Sequence, residues 1–360
     1  MMTVALSCTG EGFGHASRTV AIAHVLRSRY RVIIFCPLHL FAFMRENLGP
    51  HIDLEPIPYF SFVKQRERID WARTVWANIP RVVGFPISIS RISRRLKRHR
   101  VKALVSDYDP YGSYAADNLG MPILQINHPS VVLRQRDFTL ESWLARFISL
   151  LLMGKYHRKL VVSFYNGDVG PVVRPSLLEQ QTTNEDFYVV YLKPSYRKTM
   201  LKALKRLSIT NIQVFPDPQK NIVEYLARCK GVISSAGHQF MSEAMVLQKP
   251  VFVVPQTGQY EQMLNARMLE GSGWGTWATM DQLDKKLQDF VSTIDRYPLP
   301  PRNEDVRYRF SNDLPRAVEQ IERFLRQVEN DTFRPHRPLE RFLRQIEEAS
   351  RPTAKADLSA

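Results

Sequence analysis

Two groups of residues have the types and spacing to do chemistry. The first lies between Gly231 and Gly275, in GVISSAGHQFMSEAMVLQKPVFVVPQTGQYEQMLNARMLEGSGWG. A short apolar run ends in Ser235-Ala236-Gly237, and His238 opens a segment in which Phe240, Ala244 and Leu247 share one helical face. A glycine turn that delivers a strand into a helix points free backbone N–H groups, and the positive end of the helix dipole, at one place. That place suits a phosphate. Glu243, further along the helix, is a carboxylate able to accept two hydrogen bonds from a ribose diol, and Gln259, Gln262 and Asn265 follow after the next strand. Together they describe a nucleotide pocket.

The second group sits near the N-terminus, in Cys8-Thr-Gly-Glu-Gly-Phe-Gly-His-Ala-Ser-Arg18. Gly10, Gly12 and Gly14 turn a strand into a helix that starts with His15 and Arg18, at the carboxyl edge where open α/β sheets bind ligands. The glycines are not spaced G-x-G-x-x-G, and the following strand ends in Phe35-Cys36-Pro37 with no acidic residue for a ribose. A nicotinamide or flavin cofactor is therefore not expected. Asp107 and Asp109 end another strand, Ala103 to Ser106, on the same edge. An Asp that accepts from an imidazole N–H fixes its tautomer and supports its positive form, which makes His15 a candidate general base. Two readings stay open beside it: His15 as an ordinary polar residue at a helix start, and Asp107-Tyr-Asp109 as a D-x-D carboxylate pair holding a divalent metal.

These groups need elements to position them. The pattern predicts strands at Thr3 to Ser7, Arg31 to Cys36, Ala103 to Ser106, Pro122 to Ile126 and Leu160 to Phe164, with a helix from the glycine loop to about Arg29 whose inward stripe is Ala16, Val20, Ala23 and Leu26. A helical pattern runs from Tyr59 to Arg100, and another helix covers Ser142 to Lys159. A second series begins with strands at Tyr188 to Leu192 and Ile212 to Phe215, and helices at Met200 to Leu207 and Ile222 to Cys229. Strands that alternate with helices forecast parallel sheets. Two domains are expected, 1–168 and 176–330, joined by a glycine- and proline-rich hinge at 169–175. The tail 331–360, where ERFLRQIE at Glu340 repeats ERFLRQVE at Glu322, is expected to be helical or disordered.

The chain has 360 residues, 44% of them hydrophobic, which suffices for two packed cores and excludes wholesale disorder. A net charge of +15 favours an anionic partner: nucleic acid, a membrane surface or a phosphorylated ligand. Cys8, Cys36 and Cys229 stand in apolar runs without metal-ligand spacing and read as reduced core residues of a cytosolic protein. The first residues carry no basic leader, and the longest apolar run, Phe147 to Gly154, is far too short to span a bilayer. The expected location is the cytoplasm. Arg91 to Arg100 holds six Lys or Arg in ten residues, either a solvated helix face or a surface that leans on anionic lipid, for which Trp71, Trp76 and Phe85 would suit the interface. No base-reading module accompanies these charges, so specific nucleic-acid binding is not expected.

From Met2 to Gly275 the chain resembles the GT-B glycosyltransferases, in particular family 28 and the UDP-glycosyltransferases of family 1. The match is fullest in the second half: Gly237 to Glu243, Lys249-Pro250, Pro255, and the Glu-Gln-x-x-Asn-Ala string from Glu261 to Ala266. The resemblance implies two Rossmann-like domains with parallel sheets facing across a cleft, and transfer of a hexosyl group from a nucleotide-diphosphate sugar, with UDP the first expectation. It implies that Glu243 holds the ribose, that Gln262 and Asn265 lie near the sugar and phosphates, and that Arg174 in the hinge Gly170-Pro-Val-Val-Arg174 meets the diphosphate. Phe215 would meet the base through backbone groups. On the acceptor side it implies a loop of Gly12, Gly14, Arg18 and Asp109, with His15 the base and Asp107 its partner. The chain departs from family 1 at Ser235, where many members carry a phosphate-binding histidine, and His238 is the candidate substitute. The expected reaction inverts the anomeric centre, with neither metal nor cofactor. A metal-dependent D-x-D transferase, a UDP-sugar 2-epimerase and a basic nucleic-acid-binding protein remain the alternatives. The acceptor is unspecified, with a lipid-linked or otherwise anionic one favoured by the charge.

Overall fold

The first strand buries every side chain from Val4 to Cys8, so it must be covered on both faces, as a central strand of a parallel sheet is. The structure, a computed structural model, describes residues 1–334 apart from 66–67, 136, 138, 218 and 298–306. The first half runs β1 (Thr3–Cys8), α1 (Phe13–Leu26), β2 (Arg31–Cys36), α2 (Phe41–Leu48) and β3 (Asp53–Pro56). It continues through a hairpin of β4 (Lys64–Gln65) and β5 (Arg68–Ile69), then α3 (Trp71–Val83), α4 (Phe85–Arg98), β6 (Ala103–Asp107), α5 (Pro110–Asp117), β7 (Ile123–Asn127), α6 (Leu140–Met153) and β8 (Arg158–Val161). Its main sheet is all parallel in the order β3-β2-β1-β6-β7-β8. The order reverses beside β1, and that switch opens the crevice in which doubly wound sheets hold ligands.

The second half runs α7 (Pro175–Leu178), β9 (Glu185–Tyr191), α8 (Pro194–Arg206), β10 (Ile212–Phe215), α9 (Ile222–Arg228), β11 (Cys229–Ser234), α10 (His238–Val246), β12 (Val251–Val253), α11 (Tyr260–Ser272), β13 (Gly275–Trp277), α12 (Leu283–Ser292) and α13 (Leu314–Glu329). Its parallel sheet has the order β10-β9-β11-β12-β13. Two parallel-sheet α/β domains thus stand where the alternating pattern forecasts them. Ala16, Val20, Ala23 and Leu26 are buried, but so is every residue from Ala16 to Ala23, so α1 is covered on all sides and not along one stripe; the three cysteines are free and buried. A buried Leu or Phe of this kind contributes roughly 1.5–3 kcal/mol.

Three expectations change. The last helix does not stay with residues 176–330: Ala317, Ile321, Phe324 and Leu325 of α13 enter the core formed by α1 and one face of the first sheet. An amphipathic helix settles on the open apolar face nearest it, and α1 provides one. The helix expected from Ser142 to Lys159 ends at Met153, because Gly154 takes φ 68°, and after a short irregular stretch β8 begins at Arg158. The segment from Tyr59 is helical only from Trp71, after the β4–β5 hairpin, and Asp70 caps the start of α3 by accepting from the Arg73 amide. The second ERFLRQIE copy and the rest of the tail from residue 335 lie outside the described residues.

Candidate active site

The carboxyl ends of the two sheets face one cavity of about 620 Å³, lined from both domains. On the first domain's side, Gly12 takes φ 90°, a conformation that L side chains rarely adopt, and α1 begins immediately after it without a side-chain cap. This start places His15 on the cavity wall. His15 Nδ1 lies 2.7 Å from Asp107 Oδ1 at the end of β6. Asp107 also accepts from Arg18, Nε on Oδ2 and Nη2 on Oδ1, both at 2.7 Å. Burial alone would raise the Asp107 carboxyl, but the Arg18 guanidinium and His15 outweigh it and hold the group below the usual carboxylate range. An ionised carboxylate only accepts, so His15 donates from Nδ1 and keeps Nε2 as its basic nitrogen. Tyr108, at φ 57°, lies parallel to the His15 imidazole with ring centroids 5.7 Å apart.

On the second domain's side, β11 passes through Ser235 and Gly237 into α10, which also starts without a side-chain cap. The N–H groups of its first turn therefore have no partner within the helix and face the cavity edge, where Ser235, Gly237 and His238 all line the wall. Glu243 is buried and lines the same wall; its Oε1 stands 3.7 Å from Arg174 Nε and accepts from Gln239 at 3.2 Å. Arg174 in turn lies over the Phe43 ring, 5.7 Å from its centroid. Phe215 and Gln262 complete this side, with Gln262 Oε1 accepting from the Gln256 amide at 2.9 Å. His238 is held by Nε2, which accepts from the Phe164 amide at 3.1 Å, so its proton sits on Nδ1, a buried atom without a hydrogen-bond partner. Burial drives this imidazole well below its ordinary pKa.

Two residues fall elsewhere than expected. Asn265 has no exposed surface and stands behind the wall: its Oδ1 accepts from Tyr165 at 2.6 Å and His128 at 2.9 Å, and its Nδ2 donates to the Ala236 carbonyl. Its amide oxygen ties the two domains together, and the whole side chain is buried away from the cavity. Asp109 likewise turns inward, capping α5 by accepting from the Tyr111 and Gly112 amides, so it is no part of the acceptor-side surface. Burial pushes its carboxyl up to about 6 against those two donors. The D-x-D pair therefore diverges, with all four oxygens already engaged.

Sequence reasoning missed His128, which follows β7 at the carboxyl edge in Asn127-His-Pro129. Its ring stacks on His238 at 3.6 Å between centroids and 14° between planes, one imidazole from each domain. Burial holds His128 down at about 3, although its hydrogen bond to Asn265 works the other way. The available signal was its position at a strand end, the same that marked Asp107.

Comparison with known proteins agrees with this architecture. The description of glycosyl transferase family 1 matches residues 2–295. An uncharacterized glycosyltransferase of Methanosarcina mazei is 22% identical, over 82% of this chain and 94% of its own. The glycosyltransferase of kitacinnamycin superposes with a TM-score of 0.58 at 18% identity, covering 90% of this chain and 99% of the other. Medicago truncatula UGT71G1, solved with UDP-glucose, superposes with a TM-score of 0.55 at 14% identity, covering 90% and 98%. At these identities the structural likeness concerns the fold, which is GT-B: two parallel-sheet α/β domains across a cleft.

Proposed function

Since the chain belongs to glycosyl transferase family 1 and is a glycosyltransferase, we propose that it moves a hexosyl group from a nucleotide-diphosphate sugar, UDP-linked in the first instance, to an acceptor hydroxyl with inversion. The observation that carries this reading is the 2.7 Å contact between His15 Nδ1 and Asp107 Oδ1, made on the wall of a cavity whose opposite side is the uncapped start of α10.

His15 Nε2 takes the proton of the acceptor hydroxyl as its oxygen bonds to the anomeric carbon, and Asp107 stabilises the imidazolium that forms. The bond from the anomeric carbon to the diphosphate breaks on the far side, and its electron pair stays with the diphosphate. That new charge meets the first-turn N–H groups of α10 and the Arg174 guanidinium. Glu243 accepts from the ribose hydroxyls, Phe215 and its neighbours border the base, and Ser235 and Gln262 flank the phosphates and sugar. His238 positions the start of α10 through its bond to the Phe164 amide. Helix dipole and guanidinium carry the leaving group without a metal, a reading supported by the hydrogen bonds that already engage the oxygens of Asp107 and Asp109. The M. truncatula structure with UDP-glucose supports the choice of UDP as first donor to test.

The test is thermal stabilisation by UDP, dTDP and GDP, followed by transfer in EDTA with the anomeric configuration of the product read by NMR. UDP should stabilise the wild type, and Glu243→Ala should weaken that binding by about 1.5–3 kcal/mol, the cost of a hydrogen bond to a charged group. A retained configuration, dependence on a divalent ion, or release of an epimerised sugar nucleotide without acceptor would each contradict this mechanism.

A further inference from the structure

Most of the exposed large apolar side chains belong to one region of the first domain. Among the described residues, thirteen of the seventeen lie on α3, the start of α4 and α6, so the apolar exposure is concentrated and not the scatter of an ordinary surface. On α3, Val75, Trp76, Val82 and Val83 are 60–74% exposed, and on α6 Trp143, Phe147 and Leu151 are 56–65% exposed. The two helices flank one opening, since Trp71 at the start of α3 and Leu144 of α6 both line the cavity that holds His15. Between opening and base the wall is apolar, with Phe60, Phe62, Ile148 and Leu152 among its residues. Ile87, the exposed apolar residue of α4, begins a stripe that continues as Arg91, Arg94 and Arg98 on the face opposite its buried Ile89, Ile92 and Leu96. Arg98 pairs with Glu55 at the inner end of that stripe. Cations thus border the apolar patch on its α4 side, and no helix among the described residues is long and apolar enough to cross a membrane.

We propose that α3, α4 and α6 seat this protein on an anionic lipid bilayer, with a lipid-borne acceptor entering the His15 cavity through the opening between α3 and α6. The proposal rests on the transferase reading for the identity of the cavity and adds the class of its acceptor. An apolar surface rimmed by Arg and carrying Trp71, Trp76 and Trp143 matches the boundary between acyl chains and negative headgroups, where amphipathic helices lie in the plane. A second copy is the poorer occupant: a two-fold contact lays the same patch on itself and brings the Arg91, Arg94 and Arg98 stripe toward its own copy, like charge against like. The patch also adjoins the cavity, and an acceptor anchored in the bilayer would bring its hydroxyl to His15 from that side.

The test is co-sedimentation of the full chain, without donor, with vesicles of phosphatidylcholine alone and of phosphatidylcholine with about 30 mol % phosphatidylglycerol. Binding to the anionic vesicles, weakened by salt, is expected. The double variant Trp76→Glu and Phe147→Glu, at two positions outside the cavity wall, should reduce the bound fraction at least tenfold while UDP stabilisation and donor hydrolysis stay at wild-type values. Arg91→Glu with Arg94→Glu should remove the preference for anionic over neutral vesicles. Absence of vesicle binding, unchanged binding in the double variant, or a wild-type dimer in light scattering that the double variant converts to monomer would each overturn the proposal. Because nucleotide binding is measured separately, failure on vesicles leaves the transferase reading standing, and failure to bind any nucleotide overturns that reading without bearing on the lipid surface.

Discussion

The Cβ that Gly14 lacks would stand 2.9 Å from Cβ of Gln239, so the start of α1 in one domain touches the start of α10 in the other. Gln239 cannot easily yield, because its Nε2 donates to the Val172 carbonyl at 3.0 Å and to Glu243 at 3.2 Å. The two helix starts, each without a side-chain cap, are thereby held across the cleft in which a donor phosphate and an acceptor hydroxyl would meet.

A single methyl group should part them. Gly14→Ala is expected to cost about 1–3 kcal/mol of cleft closure, as overpacking does elsewhere, with each domain still folded. Small-angle scattering should show a larger radius of gyration, and kcat/KM for transfer should fall by the corresponding factor. An unchanged radius with unchanged turnover would show that the contact does not set the closed geometry.

The buried His128 and His238 make stability depend on pH. His128 is held at about 3 in the folded chain, against an ordinary value of about 6.5, so its contribution is fully present above about 6.5 and is lost as pH falls toward 3. Asp109, raised to about 6, works in the opposite sense between its ordinary value and 6, so the informative quantity is the difference between wild type and His128→Gln. That difference should change by about 1.4 kcal/mol per pH unit from about pH 6 to 5, with the variant less sensitive to acid. Urea titrations at each pH measure it, and parallel curves for the two proteins would contradict the buried neutral imidazole.

The return of α13 to the first domain has a stability consequence. Phe324 is 1% exposed in the core shared with α1 and the first sheet, so Phe324→Ala should destabilise by about 3–5 kcal/mol. The loss should appear in the unfolding of the first domain, followed by exchange of the β1 and β6 amides. Protection lost first in β9 and β11 would place the helix with the second domain instead.

The parts of this site that could be read from the sequence are those carried by local rules. His15, Asp107 and the turn at Gly237 each stand where a strand ends, and a parallel sheet brings strand ends to one edge. The pairing of His15 with Asp107 follows from β1 and β6 being neighbours, with Cys8 opposite Asp107 in register. What could not be read depends on contacts far apart in the chain. Arg18 read as an acceptor-side residue at a helix start, yet it is buried as the main cationic partner of Asp107, 89 residues away in sequence. Asn265 carries a family motif but spends its amide on Tyr165 and His128, two residues that no local pattern connects to it. The place of α13 was hidden for the same reason: its apolar stripe specifies a helix with one buried face, and only the fold determines which surface covers it. Gly154 was a local signal, and its φ of 68° explains why the helix stops there.

The role of His15, aligned by Asp107, in removing the acceptor proton is tested by turnover of His15→Ala beside its affinity for UDP. Transfer should fall by about 10²- to 10⁴-fold with UDP binding unchanged, because the base contributes to bond formation and not to the nucleotide seat. Near-normal turnover in that variant would contradict it.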